Sequence, residues 1–292
     1  MSTDLRPRRS VLYMPAANER ALEKAQTIAC DALIFDLEDA VAPEAKTQAR
    51  TNAVTAAQSG AYGNREVTIR CNGLDTRWGA DDLAAAASSG AAAVVIPKVS
   101  SVATLDGVSA ALDAAGAPMS MRVWAMIETP TAIFDVRTIA AHPRVNVLVM
   151  GTNDLLKELR ATASPGRAPL LPHLATALLG AREAGVVILD GVYNDVKDAE
   201  GFHDECIVGA HMGFDGKTLI HPSQVGPCNE VWAPNDADIS YARRVIEAFD
   251  EAVADGRGVV TVDGRMIENL HVENARRTLA VADAIAALAA SD

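Results

Sequence analysis

The sequence predicts an α/β fold, a (β/α)8 barrel of the TIM-barrel type with a C-terminal helical and hairpin extension. Eight short apolar runs alternate with helix-like segments, and the runs are nearly continuous in hydrophobic residues, as in parallel strands buried on both faces. The length of 292 residues fits a barrel of about 250 residues with a short addition. A doubly wound open sheet is the alternative, but no G-x-G-x-x-G turn follows the first run.

The predicted strands follow one another along the chain, each before a polar turn and a helix-like segment. They cover residues 11–14, 32–35, 67–71, 92–96, 123–127, 145–150, 186–189 and 218–220. After residue 240 the pattern changes to a helix, a Gly-rich turn, a hairpin around Asp263-Gly264 and an Ala-rich helix. We therefore predict a barrel domain of residues 1–238 and an extension of residues 239–292, which forms a lid over its own or a neighbouring active site.

The composition argues against several classes of protein. A net charge of −12 disfavours nucleic acid as a partner, because a polyphosphate backbone requires a basic surface. No apolar run reaches the roughly 20 residues of a membrane span, and the first apolar stretch is too short for a signal-peptide core. Four cysteines lie far apart without zinc-ligand spacing: Cys30, Cys71, Cys206 and Cys228. We expect packed, reduced thiols and a cytoplasmic protein.

Two acidic residues follow neighbouring predicted strands, Glu128 after the fifth and Asp154 just past the sixth. The carboxyl ends of parallel strands meet at one edge of the barrel, where such folds bind their ligands. Hard oxygen donors with open positions suit Mg²⁺, and the helix start at Gly151, Thr152 and Asn153 offers N–H groups to a substrate carboxylate. Simple helix capping is the alternative interpretation of either acidic residue.

A second acidic cluster follows the second strand, where Asp36, Glu38 and Asp39 lie in one turn. Arg70, within the third strand, is costly inside a barrel unless it meets an anion, so it contacts either these carboxylates or a substrate carboxylate. A structural ion pair is the alternative. The cluster predicts an acidic barrel mouth.

Three further basic residues lie near predicted strand ends. Lys98 and Lys217 are interpreted either as phosphate-binding or ring-lining residues or as solvated lysines. His221, at the end of the last strand, is placed to act as a general base, but a histidine that fixes the loop before Pro222 is the preferred interpretation. No G-x-S-x-G motif indicates a serine hydrolase.

Six ordered segments resemble the citrate lyase β-subunit and malyl-CoA lyase family, within the HpcH/HpaI aldolase superfamily. They are SVLYMP (10–15), FDLEDAV (35–41), IPKV (96–99), IETP (127–130), GTNDL (151–155) and IHPSQ (220–224). The resemblance spans nearly the whole chain. It implies a TIM barrel that acts on short hydroxyacyl-CoA thioesters and assembles as a homotrimer or a dimer of trimers.

By this resemblance, Glu128 and Asp154 are Mg²⁺ ligands and Arg70 contacts the substrate oxygens. Glu268 departs from the family pattern, because the lyases carry aspartate there, on a C-terminal segment that acts as an acid–base group in the adjacent subunit. The longer side chain moves the carboxylate and favours activation of water over carbon–carbon chemistry. Together with residues 189–194 and 213–218, Glu268 makes the chain similar to the malyl-CoA thioesterase branch.

Other positions match family contacts to coenzyme A, which enters as part of the substrate. Tyr13 and Lys24 match such contacts, with the lysine near a phosphate, and Ile220 and His221 match a stretch that borders the same ligand. Asn18 replaces a basic residue that often stands there in malyl-CoA lyases, so one phosphate contact is missing.

The preferred hypothesis is hydrolysis of (3S)-malyl-CoA to malate and coenzyme A, with Glu268, Arg70, Asp36 and Glu38 as the catalytic residues. Whether the acidic turn after the second strand is itself catalytic or only orients water on the metal stays open. The first alternative is a carbon–carbon lyase that cleaves malyl-CoA, methylmalyl-CoA, citramalyl-CoA or citryl-CoA to an acyl-CoA and a 2-oxo acid. The second is a non-catalytic subunit or a binder of acyl-carrier proteins.

Overall fold

The computed structural model describes residues 5–290, which divide into two compact units, residues 8–231 and residues 232–290 with residues 5–7. The first unit is a closed barrel of eight parallel strands, each paired with its sequence neighbours, which confirms the predicted fold. The strands are β1 (Ser10–Pro15), β2 (Ala32–Asp36), β3 (Glu66–Arg70), β4 (Ala93–Ile96), β5 (Arg122–Ile127), β6 (Val145–Met150), β7 (Val187–Asp190) and β8 (Gly216–Leu219).

Helices follow the strands and surround the barrel. They are α1 (Glu19–Ala25), α2 (Lys46–Gln58), α3 (Gly79–Ala87), α4 (Val102–Ala114), α5 (Pro130–Ala140), α6 (Thr152–Glu158), α7 (Leu171–Ala184), α8 (Ala199–Met212) and α9 (Val225–Val231). Several begin at a side-chain cap, such as Ser101 before α4 and Thr129 before α5, which accept hydrogen bonds from backbone N–H groups of the first turn.

The barrel interior is filled by side chains that alternate along each strand. Its buried cluster comprises Val11, Ala32, Ile34, Ala93, Val95, Trp124, Met126, Val147, Val149 and Leu189. At the N-terminal end, Arg8 forms an ion pair with Glu66 (Nε–Oε2 2.6 Å) and its guanidinium lies 5.5 Å from the Trp124 ring centroid. This end is therefore closed, and the carboxyl ends of the strands form the mouth.

A buried ion cluster lies behind the wall of β7 and β8. Lys217 Nζ is 2.7 Å from Glu205 Oε1 and 3.1 Å from Asp190 Oδ2, and Arg167 Nη1 is 2.7 Å from Asp190 Oδ1. Burial raises the pKa of Asp190, but Lys217 and Arg167 outweigh that effect and hold it below its usual value. The interpretation of Lys217 as a phosphate-binding, ring-lining or solvated lysine was wrong, because its ammonium is fully buried among carboxylates.

The second unit is the predicted helix, hairpin and helix. It contains α10 (Asp236–Ala254), β9 (Val260–Val262), β10 (Arg265–Ile267) and α11 (Asn269–Ala289). The hairpin turn has positive φ at both Asp263 (49°) and Gly264 (77°), as a two-residue type I′ turn requires. Its own core includes Ala242, Val245, Phe249, Val262, Ile267, Val272 and Ala275. No helix within residues 5–290 is long and apolar enough to cross a membrane.

Candidate active site

Glu128 lies directly after β5 at the barrel mouth and is almost fully buried. Its Oε1 accepts a hydrogen bond of 2.6 Å from the backbone N–H of Lys98. A Cβ atom at Gly151, directly after β6, would lie 2.3 Å from Glu128 Oε2. Glycine at this position therefore lets the end of β6 approach the carboxylate, a reason for Gly151 that the sequence did not indicate.

Asp154 stands in the first turn of α6 and is half-buried. Its carboxylate makes no hydrogen bond with any residue of the described part of the chain. Burial raises the pKa of Glu128 to about 7, and the charge of Asp154 adds to the increase. The N–H of Lys98 and the charges of Arg70 and Lys98 offset this increase only in part, so two hard oxygen donors that repel each other fit a divalent cation such as Mg²⁺.

The cation would have two protein ligands, and its other positions would be open. Residues 5–290 contain no group of three or more histidine, cysteine, aspartate and glutamate side chains arranged for a metal ion. Mg²⁺ commonly keeps several waters and takes one or two carboxylates together with substrate oxygens. The donor set therefore suits a cation that binds together with its substrate.

Arg70 meets the predicted acidic turn after β2. Its Nε and Nη2 donate to the two oxygens of Asp36 (2.7 and 2.6 Å), and its Nη1 lies 2.9 Å from Glu38 Oε2 and 3.5 Å from Asp39 Oδ2. Asp36 also accepts the backbone N–H groups of Glu38 and Ala40. Both Asp36 oxygens thus accept hydrogen bonds from Arg70 and from the backbone of the turn, so Asp36 orients Arg70.

Glu38 is the second carboxylate of the turn and is mostly buried. Burial raises its pKa to about 7 against the opposing effect of Arg70, and the charges of Asp39, Glu128 and Asp36 add to the increase. In the metal-free protein this carboxyl can exchange a proton near neutral pH.

A supporting set of side chains that the sequence did not predict holds this turn from behind. Lys46 Nζ donates to the carbonyl oxygens of Leu37 (2.8 Å) and Glu38 (2.7 Å). Asn72 Nδ2 donates to Leu37 O (2.9 Å) and to Asp82 Oδ2 (2.6 Å). No spacing in the sequence distinguishes Lys46 or Asp82 from surface charges on a helix, so only the tertiary structure identifies them.

Tyr13 lies inside the barrel beneath Arg70, whose guanidinium is 4.9 Å from the centre of its ring. Burial raises the pKa of Tyr13 above its usual value, so its hydroxyl stays protonated. Met126, which the sequence analysis missed, has its Sδ 4.0 Å from the Tyr13 hydroxyl and 3.9 Å from Arg70 Nη1. Tyr13 and Met126 form the floor beneath Arg70.

The loops after β6, β7 and β8 are connected at the mouth. Asn153 and Asn194 exchange two side-chain hydrogen bonds (2.7 and 3.2 Å). Gln224 Oε1 accepts the backbone N–H groups of Ile220 and His221. The His221 ring accepts from Ser223 N, so this histidine fixes the loop before Pro222, as preferred from the sequence.

Three other residues singled out in the sequence make different contacts. Lys24 is exposed on α1, and the Asn18 side chain is used as the cap of that helix, where it accepts from Ala21 N. Glu268 belongs to the second unit, directly before α11, where its backbone N–H donates to His271 Nδ1 (3.1 Å). The barrel unit alone therefore brings together Asp36, Glu38, Arg70, Glu128 and Asp154.

Comparisons with known proteins identify the family of the chain. A model of the HpcH/HpaI aldolase/citrate lyase family matches residues 9–222. The chain is 50% identical over 291 residues to a (3S)-malyl-CoA thioesterase of Cereibacter sphaeroides, with 100% of both chains covered. It is 35% identical over 284 residues to the citrate lyase subunit beta of Escherichia coli, with 95% of this chain and 94% of that one covered.

The fold of the chain is also similar to that of a solved structure. The protein CitE from Mycobacterium tuberculosis, crystallised in complex with magnesium, acetoacetate and coenzyme A, superposes with a TM-score of 0.77 at 28% identity. The match covers 94% of this chain and 97% of that one.

Proposed function

Because this chain belongs to the HpcH/HpaI aldolase/citrate lyase family, we propose that it is a Mg²⁺-dependent enzyme that hydrolyses (3S)-malyl-CoA to malate and coenzyme A. The observation that carries the proposal is the 50% identity over the whole length to a (3S)-malyl-CoA thioesterase. The site supports it, because two metal-type carboxylates and a fixed arginine meet at one barrel mouth.

In this proposal Glu128 and Asp154 hold Mg²⁺. When bound, Mg²⁺ supplies a Lewis acid and a binding point for the hydroxyl and carboxylate oxygens of the malyl group. Asp36 and Glu38 fix the guanidinium of Arg70, whose remaining N–H groups bind substrate oxygens.

Glu268 is the proposed general base that takes a proton from the attacking water. This role requires the C-terminal extension of residues 239–292 to serve as a lid over its own or a neighbouring active site. We further propose a homotrimer or a dimer of trimers that works in the cytoplasm. The family resemblance supports both the lid and the assembly.

Coenzyme A is proposed to bind beside the malyl group along the mouth. Lys24 supports binding of a phosphate, because its ammonium is exposed on α1. Ile220 and His221 border the mouth after β8, where Ile220 is partly exposed. Tyr13 contacts the thioester end of the ligand from the barrel floor.

Carbon–carbon cleavage is the second candidate, and the 35% identity to a citrate lyase subunit beta favours it. It would use the same metal ligands and Arg70, with malyl-CoA, methylmalyl-CoA, citramalyl-CoA or citryl-CoA as substrates. A third candidate, a non-catalytic subunit or acyl-carrier binder, is favoured by the word subunit in that relative's name.

Product analysis separates the three candidates. Purified protein is incubated with Mg²⁺ and (3S)-malyl-CoA, and free thiol, malate, glyoxylate and acetyl-CoA are measured in the same sample. Free coenzyme A with an equal amount of malate supports the thioesterase. Acetyl-CoA and glyoxylate without free thiol would replace it by the lyase, and binding without any product would favour the third candidate.

A further inference from the structure

We infer that Lys98 is a substrate-binding catalytic residue whose ammonium stabilises the negative charge that develops on the thioester oxygen. The inference rests on the proposed function, namely that a hydroxyacyl-CoA thioester reacts at this mouth. It concerns the thioester oxygen, whereas the metal ligands concern the hydroxyl and carboxylate of the acyl group.

The backbone at Lys98 is the first observation. Lys98 follows β4 directly and has a φ of 51°, in the left-handed region that a non-glycine residue seldom adopts. In this conformation its N–H donates to Glu128 Oε1 at 2.6 Å. Strain of this kind persists where the surrounding structure imposes it. Here the strained backbone places the lysine beside Glu128, the proposed metal ligand.

The state of the ammonium is the second observation. Lys98 Nζ forms no hydrogen bond within residues 5–290, and its nearest carboxylate oxygen, Glu38 Oε1, is 3.9 Å away. The side chain is 59% exposed, so its three N–H groups are available to a ligand. It therefore lies between the acidic turn and the metal carboxylates with its donors free.

The neighbouring cations are already committed to other contacts. Arg70 faces Asp36 and Glu38 at 2.6–2.9 Å, which offsets most of its charge. Lys46 is buried and donates to two backbone carbonyl groups. Among these three cationic side chains, Lys98 is therefore the one whose charge is least engaged by other groups and most available to a new negative charge.

The proposed reaction develops a negative charge that such a cation would stabilise. Water attacks the thioester carbon, the C=O π pair moves onto the oxygen, and the base takes a proton from the water. The oxyanion then re-forms C=O, the C–S bond breaks, and the coenzyme A thiolate leaves and takes up a proton. A donor aimed at the oxyanion, rather than at the neutral carbonyl, lowers the barrier.

The same oxygen carries charge in the carbon–carbon lyase reaction. There a base removes the hydroxyl proton, the carbon–carbon bond electrons form an enolate, and the negative charge again resides on the thioester oxygen. The role of Lys98 is therefore common to both reactions and does not depend on which of them the enzyme catalyses.

The test compares Lys98→Met, Lys98→Gly and Lys98→Arg with the wild-type enzyme on malyl-CoA. Glycine removes the ammonium but keeps the N–H to Glu128 and adopts a positive φ without strain. We expect kcat to fall about 100-fold in the methionine and glycine variants with little change in KM. Arginine should restore part of the rate, and Lys197→Met, in the exposed loop after β7, should retain wild-type kcat.

Calorimetric Mg²⁺ binding provides the second measurement. Loss of a cation beside Glu128 and Asp154 should leave the Mg²⁺ affinity unchanged or tighter. A kcat within about threefold of wild type, or a kcat loss accompanied by weaker Mg²⁺ binding, would overturn the inference and leave the proposed function standing. A wild-type enzyme without turnover of any hydroxyacyl-CoA would instead reject both.

Discussion

Gly151→Ala tests whether close packing of the end of β6 against Glu128, the proposed metal ligand, sets the geometry of the site. The added Cβ would lie 2.3 Å from Glu128 Oε2 and 2.4 Å from Glu128 Cβ. Since contacts between carbon atoms are normally about 3.5 Å or longer, the side chain or strand end must move by about 1 Å. Gly151 has a φ of −93°, which alanine adopts freely, so the effect comes from the clash alone.

Overpacking of this kind costs about 1–3 kcal/mol in the free energy of unfolding. Because the displaced group is the proposed metal ligand Glu128, we also expect Mg²⁺ affinity to weaken by about 10–100-fold, the range seen when support for a ligand is lost. Urea unfolding without metal and calorimetric titration with Mg²⁺ measure the two quantities separately.

Gly226→Ala is the matched control. A Cβ at this position in α9 has no atom within 4 Å, and alanine in a helix is favoured over glycine by about 0.5–1 kcal/mol. Its stability should be unchanged or higher, with wild-type Mg²⁺ affinity. If Gly151→Ala behaves like this control in both measurements, the packing argument is refuted.

Three other predictions concern charge, reaction type and metal. The pKa of Asp190 is held below its usual 3.8, so its ionised form stabilises the fold above that pH and the contribution is lost as the pH falls through the lowered value. Urea midpoints should show no change from this group between pH 7 and about pH 4 and a loss below that pH. Asp190→Asn should unfold about 3–5 kcal/mol more easily at pH 7, because Lys217 and Arg167 lose the carboxylate that they share and keep only Glu205. Glu268→Asp should raise carbon–carbon cleavage relative to hydrolysis, and an unchanged product ratio would reject the argument from side-chain reach. Chelation with EDTA should abolish turnover and added Mg²⁺ should restore it, whereas full activity in EDTA would exclude a metal at Glu128 and Asp154.

The barrel was predictable because its strands are fully buried and therefore appear as uninterrupted apolar runs. The largest difference is at β8, which begins two residues before the predicted run. Gly216 and Lys217 lack strand-forming side chains and join the sheet through pairing with β7 and β1. Lys217 was misinterpreted because its partners could not be predicted. A lysine beside a strand looks solvated in sequence, and its carboxylate partner Glu205 comes from α8, which pattern alone does not place behind it.

The centre of the site was partly predictable. Arg70 and Glu128 stand at strand ends and Asp154 in the first turn of the helix after β6, where the fold itself brings them to the same mouth. Lys46 and Met126 were missed because their roles depend on contacts across the barrel mouth rather than on local spacing. The sequence also did not show that Arg70 takes the acidic turn as its partner and leaves the Lys98 ammonium without a hydrogen bond within residues 5–290.

The closed N-terminal end of the barrel, sealed by Arg8 and Glu66 under Trp124, has a kinetic consequence. With that exit blocked and the interior filled, substrate and both products must share the single entrance at the opposite end. If the acid forms at the proposed metal ligands, Glu128 and Asp154, and coenzyme A lies nearer the entrance, the thiol should leave before the acid. Free coenzyme A should therefore rebind the enzyme–acid complex and trap the acid, and the enzyme slows as the thiol accumulates.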